Sequence, residues 1–447
     1  MFRRLFAATV TVAAVGFSAV QAVPVQAVHP GAAVAAADTE AAGAVFPADI
    51  IARDFPDPDV FEQNGTWYAY STNNGESTVP VATAPSAAGP WSMRGDAMPG
   101  TSLPAWAQPG RTWAPDVYPN PDGTYTLTYT AWHKASDRQC IGVATATSPR
   151  GPFIPVGTEP LICPLDLGGA IDPNTFVDRD GSRYLVWKND GNAIGKPSTL
   201  WLTKTANNGK TLAGGNTALL SSNGIAEAPD LVQRDSRYLL FFSTNGYNDC
   251  NYQTTYATAS TLTGPWTVQQ RPLMTTKTFD GQVCGPGGAD FVGNKVFMHG
   301  WVNGSRHLYV GDVGYANDLP AVRGSRVRTE AESGVLNHCV LRDPDAGASD
   351  GKAVGYIDYA DSWVENRIFA PVTGGYTLHV GYANGSQGTA SHGLVVNGNS
   401  VGSVSYPFTG WNQWAETSVP VTLQAGWNTV RLTKGILYTE VDYLEVQ

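Results

Sequence analysis

The stretch Ala226-Glu227-Ala228-Pro229-Asp230-Leu231-Val232 decides the fold, because it has the form of an acidic strand that enters a repeated sheet unit. Four other stretches place a carboxylate beside Pro or Gly and then continue as an apolar β-forming run. They are Phe55-Pro56-Asp57-Pro58-Asp59-Val60, Trp113-Ala114-Pro115-Asp116-Val117, Ile171-Asp172-Pro173-Asn174-Thr175-Phe176 and, less regularly, Gly287-Gly288-Ala289-Asp290-Phe291-Val292. A polar turn and an aromatic-rich strand follow each copy. The chain therefore contains an internal repeat.

The repeat has a nearly constant length. Its turn residues, at positions 65, 123, 181, 236 and 293, are separated by 58, 58, 55 and 57 residues. A Gly-Pro-aromatic mark recurs at 89–91, 151–153 and 264–266. Each unit has room for about four short strands, which is the content of one propeller blade. The sequence predicts an all-β fold in which residues 44–322 form a five-bladed β-propeller, with the first strand free to close the ring against blade five.

The two ends of the chain differ from this repeat. Residues 1–27 carry Arg3 and Arg4 before an apolar run and small residues, which predicts a secretory signal peptide, with an anchoring helix as the alternative. Residues 28–43 are rich in Ala and Val without periodicity and predict a disordered lead-in. Residues 327–447 alternate apolar and polar positions, as in 376–380 and 429–432, and predict a β-sandwich (jelly-roll) module. The link between the two domains is short, so we expect them to pack together.

Composition limits the partners. The 447 residues have a net charge of −10 and only 15% charged residues, and no basic run lies outside the N-terminus. Nucleic acid and anionic membranes are therefore not expected partners, and a neutral ligand fits better. We expect a secreted monomer. The five cysteines favour two disulfides, Cys140 with Cys163 and Cys250 with Cys284, leaving Cys339 over, although free buried thiols are an alternative.

The repeated carboxylates suggest chemistry. Inner strands of a propeller line one channel, so Asp57, Asp116, Asp172, Glu227 and Asp230 should gather at its mouth. Such a cluster favours glycoside hydrolysis, in which one carboxyl group protonates the leaving oxygen and another activates water. Glu227 has the longer reach, and neighbouring like charges would raise its pKa, so we predict it as general acid. The alternative is that Asp beside Pro is only turn chemistry repeated with the blades.

The motifs Pro56-Asp57-Pro58, Ile171-Asp172-Pro173 and Ala226-Glu227-Ala228-Pro229 resemble those of glycoside hydrolase family 43, whose members are inverting propeller enzymes that act mostly on arabinose and xylose polymers. The resemblance implies Asp57 as general base, Glu227 as general acid and Asp172 as the carboxylate that tunes and orients the acid. Inversion implies a gap of roughly 6.5–9.5 Å between the acid and base carboxyl groups.

Further candidates are aromatic or polar residues that could contact a sugar or serve only as core. The predicted substrate-binding residues are Trp113, Asp116, Trp132, His133, Phe176, Trp187, His299 and Arg306. His299 resembles the channel histidine that this family often carries beside a hydrated calcium ion, although a satisfied core histidine is the alternative. No cofactor is expected to be required for catalysis.

The C-terminal module resembles carbohydrate-binding modules of families 35 and 6. The resemblance rests on Thr329-Glu330-Ala331-Glu332, Tyr382-Ala383-Asn384-Gly385 and Glu440-Val441-Asp442-Tyr443-Leu444. It implies a structural calcium ion held by Glu330, Glu332 and Asp442. The predicted sugar contacts are Asn384, Trp411, Trp414 and Tyr438, with a core role for the two tryptophans as the alternative.

Together these features predict a secreted, exo-acting α-L-arabinofuranosidase on arabinan or arabinoxylan side chains, and so a plant cell-wall type polysaccharide as partner. The alternatives are a β-xylosidase, an exo-glycosidase specific for galactose or galactofuranose, and a carbohydrate-binding propeller without turnover.

Overall fold

The computed structural model describes residues 47–447, so the predicted signal peptide and lead-in lie outside the described residues. The described chain is built from strands with a few single turns of 3-10 helix. None of its helices is long and apolar enough to cross a membrane. The all-β fold that the repeat predicted is confirmed, with a propeller followed by a β-sandwich.

The propeller comprises 21 strands. In chain order they are β1 (Ala48–Ile51), β2 (Asp59–Gln63), β3 (Thr66–Tyr70), β4 (Pro80–Ala84), β5 (Ser92–Asp96), β6 (Ala107–Pro119), β7 (Tyr125–His133), β8 (Arg138–Ala146), β9 (Ile154–Pro155), β10 (Ala170–Val177), β11 (Arg183–Asn189), β12 (Ser198–Thr205), β13 (Leu212–Ser222), β14 (Ala226–Gln233), β15 (Tyr238–Thr244), β16 (Gln253–Ala259), β17 (Thr267–Val268), β18 (Gly287–Val292), β19 (Lys295–Val302), β20 (Ser305–Ala316) and β21 (Leu319–Val322). Short 3-10 helices lie at Gly100–Ser102, Leu165–Leu167 and Gly191–Ile194.

Each blade is an antiparallel sheet whose innermost strand is β2, β6, β10, β14 or β18. The first four blades take their four strands consecutively from the chain. The fifth is assembled from both ends of the domain, because β1 pairs with β20 and gives the order β1-β20-β19-β18. The ring closure that the position of the first strand indicated is therefore present.

Apolar side chains fill the spaces between neighbouring blades. Phe61, Tyr70 and Leu127 belong to one such cluster between the first two blades, and equivalent clusters lie around the ring. Both predicted disulfides, Cys140–Cys163 and Cys250–Cys284, are formed, while Cys339 is free. The packing between blades holds the inner strands around the axis, where the candidate site lies.

The module contains two facing sheets. Its strands are β22 (Val327–Glu330), β23 (Val335–Asn337), β24 (Val340–Arg342), β25 (Ala353–Gly355), β26 (Trp363–Ala370), β27 (Gly374–Ala383), β28 (Ala390–Val396), β29 (Asn399–Tyr406), β30 (Ala415–Leu423), β31 (Gly426–Thr433) and β32 (Glu440–Val446), with 3-10 helices at Ala331–Ser333 and Ser349–Gly351. One sheet has the order β24-β25-β32-β27-β30, with β22 beside β32, and the other has the order β23-β26-β31-β28-β29. Alternating side chains from both sheets form one core.

The two domains are in direct contact near the link. Arg326 lies 3.1 Å from Asp280 of the propeller and 2.8 Å from Glu416 of the module. A second contact joins Arg271 of the propeller to Glu330 of the module at 2.8 Å. Charged groups thus fix the module against the propeller at two points.

Candidate active site

One backbone feature, repeated in every blade, shapes the mouth of the channel. Within each inner strand, or just before it in blade one, one residue has a left-handed conformation, with φ between 41° and 56°. The five residues are Asp57, Ala114, Asp172, Ala228 and Gly288. In blades two to five the pairing register shifts at this point, as in a β-bulge, which redirects the local side chains. Asp57 and Asp172 occupy this position themselves, and Glu227 directly precedes it.

Asp57 lies in a cationic, hydrogen-bonded setting. Its carboxylate accepts a hydrogen bond from the Thr72 hydroxyl at 2.7 Å and lies 3.3 Å from the Arg306 guanidinium. Burial alone would raise the pKa of Asp57, but Arg306, His299 and Thr72 outweigh it and lower the pKa below the usual value. Burial lowers the pKa of His299 to about 3, so the imidazole is neutral at neutral pH and Arg306 is the cation that remains. Asp57 is thus held ionised.

Asp172 and Glu227 form a coupled pair with the opposite tendency. Asp172 accepts the backbone N–H of Ala228 at 2.9 Å, which binds the start of β14 to the start of β10. Burial, reinforced by repulsion from Glu227, raises the pKa of Asp172 to about 7. Burial also raises the pKa of Glu227. The pair therefore retains a proton at a pH where Asp57 has lost its own.

Two residues that the sequence analysis missed contact Glu227. The hydroxyl of Tyr252 donates a hydrogen bond to Glu227 Oε1 at 3.0 Å, and Tyr252 also stacks on His299. The ammonium of Lys188 lies 3.5 Å from Glu227 Oε2, although its side chain is fully buried. The two contacts reach different oxygens, so both sides of the Glu227 carboxyl group are fixed.

A second ring of polar side chains lies two residues further along each inner strand: Asp59, Asp116, Asn174, Asp230 and Asp290. The four carboxylates each accept a backbone N–H of the next blade at 2.6–2.9 Å. Burial, followed by mutual repulsion, raises the pKa of Asp59 and Asp290 well above the usual value. These side chains connect neighbouring blades around a cavity of about 40 Å³, which has room for a few water molecules and none for a sugar.

Several predicted substrate contacts lie elsewhere than expected. Asp116 is 6% exposed and belongs to this ring, hydrogen-bonded to Thr175 and Thr128. Phe176 and Trp187 are 1% and 0% exposed and pack in the core between blades, so a sugar cannot reach them. These three predictions of substrate contact are corrected, because inward-facing strand residues were taken for mouth residues.

The remaining predicted contacts lie at or beneath the mouth. Trp113, directly before the bulge of blade two, is half-buried, as are Trp132 and His133 at the end of β7. His299 is fully buried and accepts the backbone N–H of Asp57 through Nδ1, so it supports the base from below. Arg306 extends past Asp57 toward the exposed ring of Tyr247. Trp113, Trp132 and His133 stay candidate sugar contacts.

Two of the three predicted calcium ligands of the module, Glu330 and Asp442, converge on one serine. The hydroxyl of Ser349 contacts Glu330 Oε2 at 2.5 Å and Asp442 Oδ1 at 2.6 Å, which joins β22 to β32. Glu332 Oε2 is buried and has no hydrogen-bond partner among the described residues. Burial, with the neighbouring carboxylates, raises the pKa of Glu332 and Asp442. Glu330 is also paired with Arg271, so the unpartnered oxygen of Glu332 is the observation that fits a calcium ion.

The predicted sugar contacts of the module divide into two groups. Trp411 and Tyr438 are 47% and 58% exposed on neighbouring loops, and Trp414 is half-buried with its indole N–H bonded to Ala346. Asn384 is fully buried. Its side-chain amide donates to the carbonyl oxygens of Gly388 and Tyr406 and accepts the backbone N–H of Ser386. The predicted sugar contact of Asn384 is therefore corrected to a role in shaping the loop.

Comparison with known proteins agrees with this geometry. Residues 50–301 match the family described as glycosyl hydrolases family 43, and residues 327–447 match carbohydrate binding module family 35. A β-D-galactofuranosidase of Aspergillus niger is 26% identical over 272 residues, 57% of this chain and 75% of that protein. An extracellular endo-α-(1->5)-L-arabinanase of Bacillus subtilis is 27% identical over 215 residues, 43% of this chain and 45% of that protein, so this chain spans less than half of the arabinanase.

Solved structures share the propeller. A thermostable family-43 glycoside hydrolase has a TM-score of 0.54 at 22% identity, covering 60% of this chain and 92% of that chain. An endo-arabinase from Bacteroides thetaiotaomicron has a TM-score of 0.52 at 19% identity, covering 62% of this chain and 100% of that chain. At such identities the likeness supports the fold.

Proposed function

This chain belongs to glycoside hydrolase family 43, and we propose that it is a secreted, inverting exo-enzyme that releases terminal pentoses, as an α-L-arabinofuranosidase acting on arabinan or arabinoxylan side chains. One observation carries the proposal. Within one buried cluster, Asp57 is held ionised while the Asp172–Glu227 pair retains a proton. Hydrolysis with inversion needs one carboxylate and one carboxylic acid at the same pH.

The mechanism follows from these protonation states. Asp57, ionised beside Arg306, removes a proton from a water molecule as that water attacks the anomeric carbon. Glu227 donates its proton to the glycosidic oxygen as the bond to that oxygen breaks. Asp172, held by the N–H of Ala228, shares one proton with Glu227. When that proton is on Glu227, the negative charge of Asp172 disfavours its loss before the reaction. Each turnover consumes one water molecule and leaves Asp57 protonated and Glu227 ionised. Asp57 then releases its proton to solvent, and Glu227 takes one up before the next turnover.

Two calcium ions are part of the proposal. In the module, Glu330, Glu332 and Asp442 would hold an ion that ties the first strand to the last. In the channel, His299 Nε2 is buried without a hydrogen-bond partner among the described residues. Nε2 could bind an ion only in the tautomer with the proton on Nδ1, which would then face the Asp57 carboxylate at 3.3 Å instead of accepting the Asp57 N–H. An ion there would supply positive charge beneath the base. Sugar binding by the module is assigned to Trp411, Trp414 and Tyr438.

Proton NMR of arabinan and arabinoxylan digests, recorded before mutarotation, tests the proposal. We expect free arabinose to appear first as the inverted anomer and to be absent with Glu227→Gln. Release of the retained anomer would exclude the assigned roles, while release of xylose alone would make the enzyme a β-xylosidase.

A galactofuranosidase is the second candidate. The match to the Aspergillus β-D-galactofuranosidase, which covers most of that protein, favours it. Arabinofuranose and galactofuranose share the five-membered ring, so one mouth could admit either. If both pentose polymers give no product, release of galactose from a β-D-galactofuranoside would identify this activity. A non-catalytic propeller is disfavoured, because all three carboxylates are present in one cluster.

A further inference from the structure

Lys188 is a buried cation that the mechanism above does not use. Its side chain, at the end of β11, has no exposed surface, and its ammonium lies 3.5 Å from both Glu227 Oε2 and Asp190 Oδ1. A buried lysine is costly unless its charge is engaged. Among the described residues, its shortest polar contact is a hydrogen bond of 2.7 Å to the side-chain oxygen of Asn192. That partner is neutral, so the positive charge is free to act on the carboxylates.

The charges around Glu227 come from four sides. Asp172 faces it from β10, Asp57 from the entry to β2, Tyr252 from the loop before β16 and Lys188 from β11. Asp57 and Asp172 favour the protonated form of Glu227. Lys188 and the hydroxyl of Tyr252 favour the carboxylate. Since Glu227 becomes a carboxylate when it donates its proton, Lys188 stabilises the product of that step and not its beginning.

We propose that Lys188 is a positioning residue that makes Glu227 a stronger general acid. The effect matters most for poor leaving groups, such as the hydroxyl group of the next sugar in an oligosaccharide. This inference rests on the proposed function, in which Glu227 donates the proton. The proton moves from Glu227 to the glycosidic oxygen, and the electron pair of the broken bond stays with that oxygen. The carboxylate left behind is paired with the ammonium of Lys188. A stronger acid transfers its proton further in the transition state, at the cost of ionising at lower pH.

The test compares two leaving groups. With Lys188→Met we expect kcat on an arabino-oligosaccharide to fall about tenfold, and kcat on the p-nitrophenyl arabinoside, whose leaving group needs little protonation, to change less than about twofold. The alkaline limb of the pH profile should move up by about one pH unit. Lys188→Arg should retain the wild-type ratio of the two rates. Lys204→Met, on the adjacent strand β12 and exposed, is the matched control and should leave both rates unchanged.

Equal losses on both substrates, or an unmoved alkaline limb, would overturn the proposal and leave Lys188 as a packing residue. A second measurement does not depend on turnover. The ¹³C shift of the Glu227 carboxyl group, assigned by its loss in Glu227→Gln, should titrate at higher pH in Lys188→Met than in the wild type. An unchanged titration would reject the role of Lys188 even if the enzyme cleaves another glycoside. If the wild-type protein cleaves no pentoside, but Glu227 still titrates at higher pH in Lys188→Met than in the wild type, only the proposed substrate is rejected.

Discussion

The mouth of the propeller contains its own cations, Arg306 and Lys188, beside its three carboxylates. The module has a comparable cluster, Glu330, Glu332 and Asp442, in which Glu330 and Asp442 both contact the hydroxyl of Ser349. In the propeller, protein charges and one shared proton set the protonation needed for chemistry. In the module, Arg271 meets Glu330 at 2.8 Å, and the unpartnered oxygen of Glu332 is the one that the proposed calcium ion would meet. Under the proposed function, the comparison separates a site that moves a proton from a site that would hold a metal.

The largest effect should come from removing the base. Asp57→Asn keeps the shape of the site but cannot accept a proton, so kcat should fall about 10²–10⁴-fold. Steady-state rates on arabino-oligosaccharide measure it. Asp122→Asn, in an exposed turn, should be unaffected. If Asp57→Asn kept the wild-type rates, the proton-transfer site would lie elsewhere. The contrast drawn between the propeller mouth and the module cluster would then be wrong.

Removing a ligand from the module should affect stability instead of chemistry. Calcium present at about 100 times its dissociation constant contributes about 2.7 kcal/mol, which is on the order of 10 °C in the unfolding temperature of a domain this size. Calorimetry with and without calcium should show most of this gain lost in Glu332→Gln, with kcat on the p-nitrophenyl arabinoside unchanged. Asp361→Asn, exposed on the same module, should keep the full gain. If calcium raised the unfolding temperature of Glu332→Gln as much as that of the wild type, Glu332 would not be a calcium ligand.

The pH profile should show the two protonation states of the propeller site. Asp57 must be ionised and its pKa is lowered, so kcat/KM should hold into the acidic range before it falls tenfold per unit. The Asp172–Glu227 pair must keep a proton, so kcat/KM should fall as the pH rises past about 7, the pKa of Asp172 in that pair. Rates measured from pH 3 to pH 10 would check both limbs. A profile flat through the upper range would contradict the shared proton.

The smallest effect concerns the contact between the domains. Arg326→Ala removes an arginine whose side chain is 20% exposed from Asp280 and Glu416, so the expected loss is on the order of 1 kcal/mol. Faster hydrogen exchange in the link, with unchanged kcat on a small glycoside, is the expected result. Arg53→Ala, on the surface of the propeller, is the control. A large loss of turnover would mean that the module shapes the mouth.

Because each blade reuses one pattern, the spacing predicted the blade count and a gathering of five carboxylates at the mouth. The roles of Asp57 and Asp172 came from the resemblance to family 43 and not from the spacing. The direction in which each strand side chain points was harder to predict from the sequence. Trp187 was chosen as a sugar contact, yet consecutive strand residues face opposite ways, and its neighbour Lys188 is the residue beside Glu227. Asp116 was misplaced for a related reason. It belongs to the second ring of polar side chains, which lies two residues further along each inner strand than the left-handed residues at the mouth. Asn384 was misplaced because an amide in a loop can serve its own backbone as well as a ligand.

The ring closure has a consequence for the order of folding. The first described strand pairs with the last blade, and Asp49 meets His307 across 258 positions of sequence. Pairings over such separations form late, since a long loop must first close. Until then β20 presents an unpaired edge, which is the part of a sheet most open to pairing with another chain. Pairing of β1, the first described strand, with β20 therefore covers this edge and lowers the risk of aggregation.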